Sequence, residues 1–321
     1  VHNWATEGRP GLATYLLENG DLLRTGKVNS SIYAGGGSGG LVQKWSWDGE
    51  LLWNYQVSDD TIHQHHDVQP MPNGNVLVLS WGYLSNSQSI INGRDPLTLN
   101  DELWPTVIQE LEPIGLNEAQ IIWQWSVDDH FVQDFDSTKL NYGIIADHPE
   151  LLDINYSSNG SADFLHCNAV NYNANHDLIV ISSRKSNEIY VIDHSTTTLE
   201  AASHSGGNRG IGGDFLYRWG NPQTYDRGNA NDQMLFGPHD IHWIPDSLSD
   251  GGKFMVFNNV GGTLGSAVNV FDPQMDVNGD FPDPGIDAYG PSNVDWHYEE
   301  ADFSSNTISG AQRLPNGNTL I

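Results

Sequence analysis

The sequence predicts an all-β fold, a β-propeller built from four-stranded blades with long inserted loops. Three observations predict it: a recurring turn-plus-strand unit, an aromatic strand that follows most copies of it, and almost no helical periodicity. The clearest copies are Leu17-Glu18-Asn19-Gly20-Asp21-Leu22-Leu23, Met71-Pro72-Asn73-Gly74-Asn75-Val76-Leu77 and Leu314-Pro315-Asn316-Gly317-Asn318-Thr319-Leu320. Asn-Gly is the favoured two-residue hairpin turn. Weaker copies lie at 173–181, turning at Asn175-His176, and at 243–257, turning around Asp250-Gly251-Gly252. Aromatic pairs on one strand face follow the first four copies: Trp45-Ser46-Trp47, Trp123-Gln124-Trp125, Tyr217-Arg218-Trp219 and Trp296-His297-Tyr298. Between turn and aromatic strand lies a third strand, seen at 107–111, 189–192 and 268–271. A four-stranded meander repeated at irregular spacing is a propeller signature. A sandwich is the competing architecture and explains the lengthening units less well.

Taken in order, the units span 11–57, 66–127, 166–220 and 239–298, with another starting at 308–321, all within a single propeller domain over 1–321. Val1 to Trp4 reads as the outermost strand of a further blade, and the sequence as a segment of a longer protein whose signal peptide lies elsewhere. The stretches 82–105 and 128–163 exceed ordinary loop lengths. They are expected over one mouth of the ring, as functional insertions, caps or oligomer contacts. The Gly-rich runs 35–40 and 206–213 lack a following helix, so they read as flexible loops or places of tight backbone approach.

Composition narrows the function. Thirteen Lys plus Arg against 41 Asp plus Glu leave a formal charge of −28. Nucleic-acid binding and anionic membrane surfaces both need clustered cations, so neither is expected as a partner. No apolar run reaches transmembrane length. The single cysteine, Cys167, excludes an internal disulfide framework. No phosphate loop, dinucleotide fingerprint or nucleophile elbow is present, which argues against nucleotide cofactors.

In a propeller the first strand of each blade lines the central channel, so its side chains converge. Those strands carry His65-His66-Asp67, His166-Cys167-Asn168 and His239-Asp240-Ile241-His242. One such histidine reads as a core group satisfied by backbone; three at equivalent places read as a site. Imidazoles of His63, His65, His66, His239 and His242 offer metal ligation as the alternative, though acid and base work explains them equally. Arg184, Arg209, Arg218 and Arg227 fall close together in an arginine-poor chain and suggest an anion site, because guanidinium presents a planar fork to oxyanions. Ion pairing with Asp214, Glu188 or Asp226 is the competing reading for the last three. Arg184 ends a strand that pairs back on the His166 strand and reaches the same mouth. Asp276-Val277-Asn278-Gly279-Asp280 opens like a calcium loop but lacks the downstream bidentate Glu, so calcium at Asp276, Asn278 and Asp280 gives way to a plain acidic turn.

Together these motifs resemble the bacterial aryl-sulfate sulfotransferases: His66-Asp67 ahead of Pro72-Asn73-Gly74-Asn75, His166-x-Asn168, Ser182-Ser183-Arg184, Gly237-Pro238-His239-Asp240, and the run 312–321. The resemblance covers nearly the whole chain in the same order. It implies a six-bladed propeller, periplasmic or secreted, that moves a sulfuryl group from a phenolic sulfate ester to another phenol without a nucleotide donor. It also implies that His239 is the transiently sulfurylated histidine, with His66, His166, Asn168 and Arg184 around it. On that expectation Arg184, Asn168 and His166 hold the sulfuryl oxygens while His66 carries the proton; His65, His242, Arg209 and Arg218 are candidate substrate contacts. Family members often carry a cysteine pair, whereas Cys167 stands alone. Two other functions compete: a non-catalytic extracellular scaffold, adhesin or filament subunit, and a lyase acting on an acidic polysaccharide, which −28 disfavours. A homo-oligomer is open.

Overall fold

A computed structural model of the chain describes residues 2–156 and 160–321. Four antiparallel sheets of four strands follow one another. Blade one is Pro10–Leu16, Leu22–Lys27, Gly40–Trp45 and Leu51–Gln56. Blade two is His63–Pro70, Val76–Trp81, Thr106–Ile114 and Glu118–Ser126. Blade three is Cys167–Asn173, Leu178–Ser183, Glu188–Asp193 and Tyr217–Trp219. Blade four is Pro238–Trp243, Phe254–Asn258, Ala267–Phe271 and Trp296–Tyr298, and a hairpin, Gln312–Arg313 with Thr319–Leu320, comes after it. No helix among the described residues is long and apolar enough to cross a membrane.

The recurring turn forms as a three-residue loop, which corrects the two-residue expectation. In three copies the glycine N–H donates to the carbonyl three residues back: Gly20 to Leu17, Gly74 to Met71 and Gly317 to Leu314, at 2.9–3.0 Å. Only the glycine is left-handed, at φ 85 to 90°. Each asparagine instead accepts the N–H two residues on through its side chain, as Asn73 does from Asn75 at 3.0 Å, and that satisfies the turn without a mirror-image geometry.

Blade one departs from the expected aromatic pattern. Trp45 ends its third strand, and the outermost strand carries Trp53 and Tyr55, stacked at 6.0 Å. His2, Trp4 and Trp47 pack together, with no strand over residues 2–4; Val1 lies outside the described residues.

Apolar cores lie between successive blades. Val42, Trp53 and Val68 join blades one and two; Leu79, Trp125, Val170 and Tyr190 join two and three; Leu178, Trp219, Phe254 and Phe271 join three and four. Polar ties cross the same seams near the channel. Asp67 accepts the Tyr15 hydroxyl at 2.9 Å and the Val170 N–H at 3.1 Å, and Asp240 accepts the Ala311 N–H at 2.9 Å. Each carboxylate therefore reaches forward to a backbone N–H on the channel-side segment of the following unit.

Both insertions leave from the end of blade two that carries His63 and Trp81, since Trp81 pairs with Thr106 and Ser126 with Val107. They lock onto each other: Asp95 N–H donates to Asn155 Oδ1 at 2.8 Å and Trp104 N–H to the Ala162 carbonyl at 2.8 Å.

Candidate active site

Each channel-lining strand is bulged where its side chains are needed. The ladders shift register between Gln64 and Val68, Cys167 and Ala169, and His239 and His242. Non-glycine residues take left-handed conformations there or at the strand's edge: His66 and His166 at φ 51°, Asp240 at φ 55°. Such conformations cost about 1–3 kcal/mol each and cluster where a side chain must be re-aimed. By backbone conformation Asp240, not His239, matches His66 and His166; His239 sits one residue earlier, so the three histidines meet in space without sharing one repeat position.

The Gly-rich run 35–40 of blade one closes over this point. His66 N–H donates to the Gly37 carbonyl at 2.8 Å. A Cβ on Gly37, at φ 83°, would stand 2.1 Å from the His66 ring. Tight backbone approach is the role of this run.

All three imidazoles are held by Nδ1. His66 Nδ1 meets His65 Nδ1 at 2.8 Å, and His65 is itself buried and stacked on Trp81 at 4.1 Å. His166 Nδ1 donates to the Asp163 carboxylate, whose other oxygen accepts the His166 backbone N–H at 3.1 Å. His239 Nδ1 lies 2.5 Å from Asn259 Oδ1 and 3.2 Å from the Gly237 carbonyl. Asn259 is fixed in turn, because its amide donates to the carbonyls of Ser305 at 2.7 Å and Ile308 at 2.9 Å. With both N–H groups of that amide spent, its oxygen must accept, Nδ1 of His239 must carry the proton, and Nε2 keeps a lone pair. Among the described residues none of the three Nε2 atoms has a hydrogen-bond partner.

Electrostatics keep two of these rings neutral. Burial lowers His239 to about 4, assisted by the nearby Arg184 and His166. Burial also pushes His66 well below its ordinary value, with His166, His239 and Arg184 adding to it. The His66 and His166 rings meet edge to face at 4.7 Å. Arg184 donates through Nη2 to the Asn306 carbonyl at 3.2 Å and has no carboxylate partner among the described residues. A cavity of about 280 Å³ runs past His66, Asn168 and His239 and is lined also by Tyr15, Asp67 and Asp240. Burial raises Asp67 to about 7 and raises Asp240 as well, while Asp240 keeps a side chain nearly half exposed. Beside His166, burial pushes Cys167 up to about 12, so it stays a thiol.

Several expected contacts lie elsewhere. Arg218 is fully buried, paired with both oxygens of Glu188 at 2.9 and 2.6 Å, and faced by the Tyr225 ring at 4.3 Å. Arg209 binds Asp193 at 3.0 Å and the His176 carbonyl at 2.9 Å, at the opposite end of blade three from Arg184. Arg227 donates to the carbonyls of Ala146 and Gly285. Each of these guanidinium groups is occupied by acceptors of its own neighbourhood, so the arginine cluster of the sequence dissolves and Arg184 alone reaches the channel. His65 lies behind His66 and positions it. His242 turns to the Asp240 carbonyl at 3.0 Å and lines a neighbouring cavity with Trp243 and Arg313. Asn168 lines the channel, but it donates to the Pro238 carbonyl at 2.8 Å and accepts from Ser182 at 2.6 Å, leaving one amide hydrogen without a partner among the described residues. Asp276 spends its carboxylate on the N–H groups of Asn278 and Asp280, at 2.8 and 3.0 Å, forming an acidic turn.

Sequence reasoning missed Asn259, Asp163 and Tyr15. The His-Asp pairs at 66–67 and 239–240 signalled Asp67 and Asp240; nothing in local spacing signals Asn259, twenty residues from its histidine.

The sequence model of the arylsulfotransferase (ASST) family matches residues 26–270, a span that contains all three histidines and Arg184. The chain belongs to the arylsulfotransferase family. No curated protein matches the chain. Among solved structures it is similar to the periplasmic gluconolactonase of Pseudomonas aeruginosa, at 10% identity and TM-score 0.44 over 98% of this chain and 77% of that one. It is also similar to a Bacteroides caccae protein of unknown function, at 11% identity and TM-score 0.39, and to Kuenenia stuttgartiensis hydrazine synthase, at 13% and 0.39. These two matches cover 91% and 81% of this chain, which spans 60% and 57% of their lengths.

Proposed function

We propose that this protein transfers a sulfuryl group from a phenolic sulfate ester to a phenol through His239. The observation that carries the reading is the set of three imidazoles tied by Nδ1, with unpartnered Nε2 atoms, beside a guanidinium that has no carboxylate. The Nε2 lone pair of His239 attacks sulfur, the sulfur–oxygen bond to the aryl group breaks, and the bonding pair leaves with the phenolate. The acceptor phenol oxygen then attacks the same sulfur, and the N–S bond breaks back to His239.

Sulfuryl transfer, like phosphoryl transfer, passes through a loose transition state with charge on the equatorial oxygens, so positioning and fixed positive charge supply most of the catalysis. Arg184 and the free amide hydrogen of Asn168 meet those oxygens. The proton passes through His166. Its Nδ1–H is oriented by Asp163, and Nε2 enters the cycle protonated, gives that proton to the departing phenolate, and is reprotonated by the acceptor phenol as its oxygen attacks sulfur. His66, whose pKa is depressed, stays neutral and walls the site, so the role first expected of it falls to His166.

The test is transfer from 4-nitrophenyl sulfate to a phenol acceptor. Acceptor-dependent nitrophenolate release that falls at least about a thousandfold in His239→Ala, with ping-pong kinetics in the parent protein, is the expected result. Unchanged turnover in that variant removes His239 as nucleophile. No release from the parent protein over a range of donors and acceptors removes the activity.

A further inference from the structure

A second cluster of titratable groups lies on the outer side of the molecule, between the outer strand of blade two and the segment that leads into the outer strand of blade three. His130 follows Glu118–Ser126 and is fully buried. Its Nε2 lies 2.8 Å from the Ala201 carbonyl, which can only accept, so Nε2 carries a proton. Nδ1, on the other side of the ring, lies 2.7 Å from Asp214 Oδ1. His204 brings its own Nδ1 to the same oxygen at 2.8 Å. Two imidazole nitrogens and a carboxylate oxygen thus converge within 4.8 Å of one another. Both nitrogens face one carboxylate oxygen, so the cluster closes around positive charge, a proton or a metal ion.

We propose that His130, His204 and Asp214 form a site for a divalent transition metal of the zinc class. Neutral imidazole with a carboxylate is a ligand set of that class, and four-coordinate zinc with three protein ligands keeps its last position for water. The surroundings are those of a metal-bound histidine. The far nitrogen of His130 donates to a backbone carbonyl, the contact that fixes the tautomer of ligating histidines. Trp125 stacks on the His130 ring at 5.6 Å and donates to the Gly213 carbonyl at 2.8 Å. Gly213 has to lack a side chain, because a Cβ there would stand 2.0 Å from the Ala201 carbonyl and 2.7 Å from His130 Nε2. Asp129 adds a carboxyl within electrostatic reach of both imidazoles. His204 supplies the mobile wall, since its side chain is 61% exposed. Tetrahedral ligands about 2 Å from zinc stand about 3.3 Å apart, so on binding Asp214 draws back by about half an ångström from both His130 and His204, which lie 2.7 and 2.8 Å from it. The ion would clasp the 128–163 insertion to the segment before Tyr217, away from the channel histidines.

The experiment strips the whole protein with a chelator and titrates it with zinc in competition with a chromogenic chelator, then with cobalt(II). One zinc per chain is expected, with tetrahedral visible absorption of the cobalt form. His204→Ala removes an exposed ligand without disturbing the packed ones and is expected to weaken binding at least about tenfold. Asp214→Asn is expected to do the same, and His239→Ala to bind as the parent does. No stoichiometric zinc in the parent protein overturns the proposal and leaves a proton on His130 as the cation. Binding that survives His204→Ala but is lost in His239→Ala also overturns it, because the metal then belongs to the channel.

Discussion

The channel mouth and the outer flank of blade three use the same residue types to opposite ends. His239 at the mouth and His194 on the flank are both shielded from solvent, which opposes charge on either ring. His239 has an amide oxygen and a backbone carbonyl as partners, and its pKa falls to about 4. On His194 burial is outweighed by Asp177 at 2.7 Å and Glu110 at 3.1 Å, and the pKa rises to about 9. The arginines divide in the same way. Among the described residues Arg184 at the mouth has no carboxylate partner, whereas Arg218 on the flank is paired with both oxygens of Glu188 and donates also to the Pro149 and Leu151 carbonyls. A buried ionisable group is made structural by opposite charge and made available for chemistry by neutral dipoles.

The arginine contrast gives the largest effects. Arg218→Gln leaves Glu188 buried without its counterion and is expected to cost about 3–5 kcal/mol of stability in urea unfolding. Arg184→Gln is expected to leave stability unchanged and to lower kcat/KM about a hundredfold. If the two variants exchanged phenotypes, the division between mouth and flank would be wrong.

The histidine contrast follows. His194 has a folded pKa above its unfolded value, so its contribution is fully present below about 6.5 and is lost as pH rises through about 9. Linkage makes that contribution on the order of 3 kcal/mol. Unfolding of the parent and His194→Gln at pH 6 and pH 10 reads it directly: the gap between them is expected to narrow by that amount at the higher pH. A gap independent of pH would mean that His194 is held neutral.

The smallest effect sharpens the comparison most. Asn259→Asp gives His239 a partner of the kind His194 has, raising its pKa and protonating Nε2 in mildly acidic solution. The acid limb of the pH–kcat profile, normalised to its own maximum, is expected to move up by more than one unit. A limb that stays in place would show that another group sets it.

Much of this was legible in the sequence. Alternating apolar residues and repeated Asn-Gly turns specify each blade locally, because a hairpin needs only its own residues. The histidines were legible because each lies at the channel end of a repeat. Blade one was misread because Trp45-Ser46-Trp47 imitates the outer-strand pattern that Trp53 and Tyr55 carry. The arginines were misread because nearness in sequence says nothing about which carboxylate lies across the sheet: Glu188 stands 30 residues from Arg218 and 2.6 Å away in space. Asn259 was invisible because an asparagine near the end of a strand has many uses, and only the carbonyls around it decide which atom it turns to its histidine.

Those carbonyls also set a schedule. Ser305 and Ile308 are made after every histidine of the channel, and until they dock, the Asn259 amide is free to rotate by half a turn. A rotated amide would present N–H to His239, draw the ring proton to Nε2 and take away the lone pair that Nε2 keeps. The tautomer that leaves Nε2 its lone pair is therefore fixed only when the 305–308 loop settles behind Asn259, a loop whose Ile308 also lines the cavity beside His239.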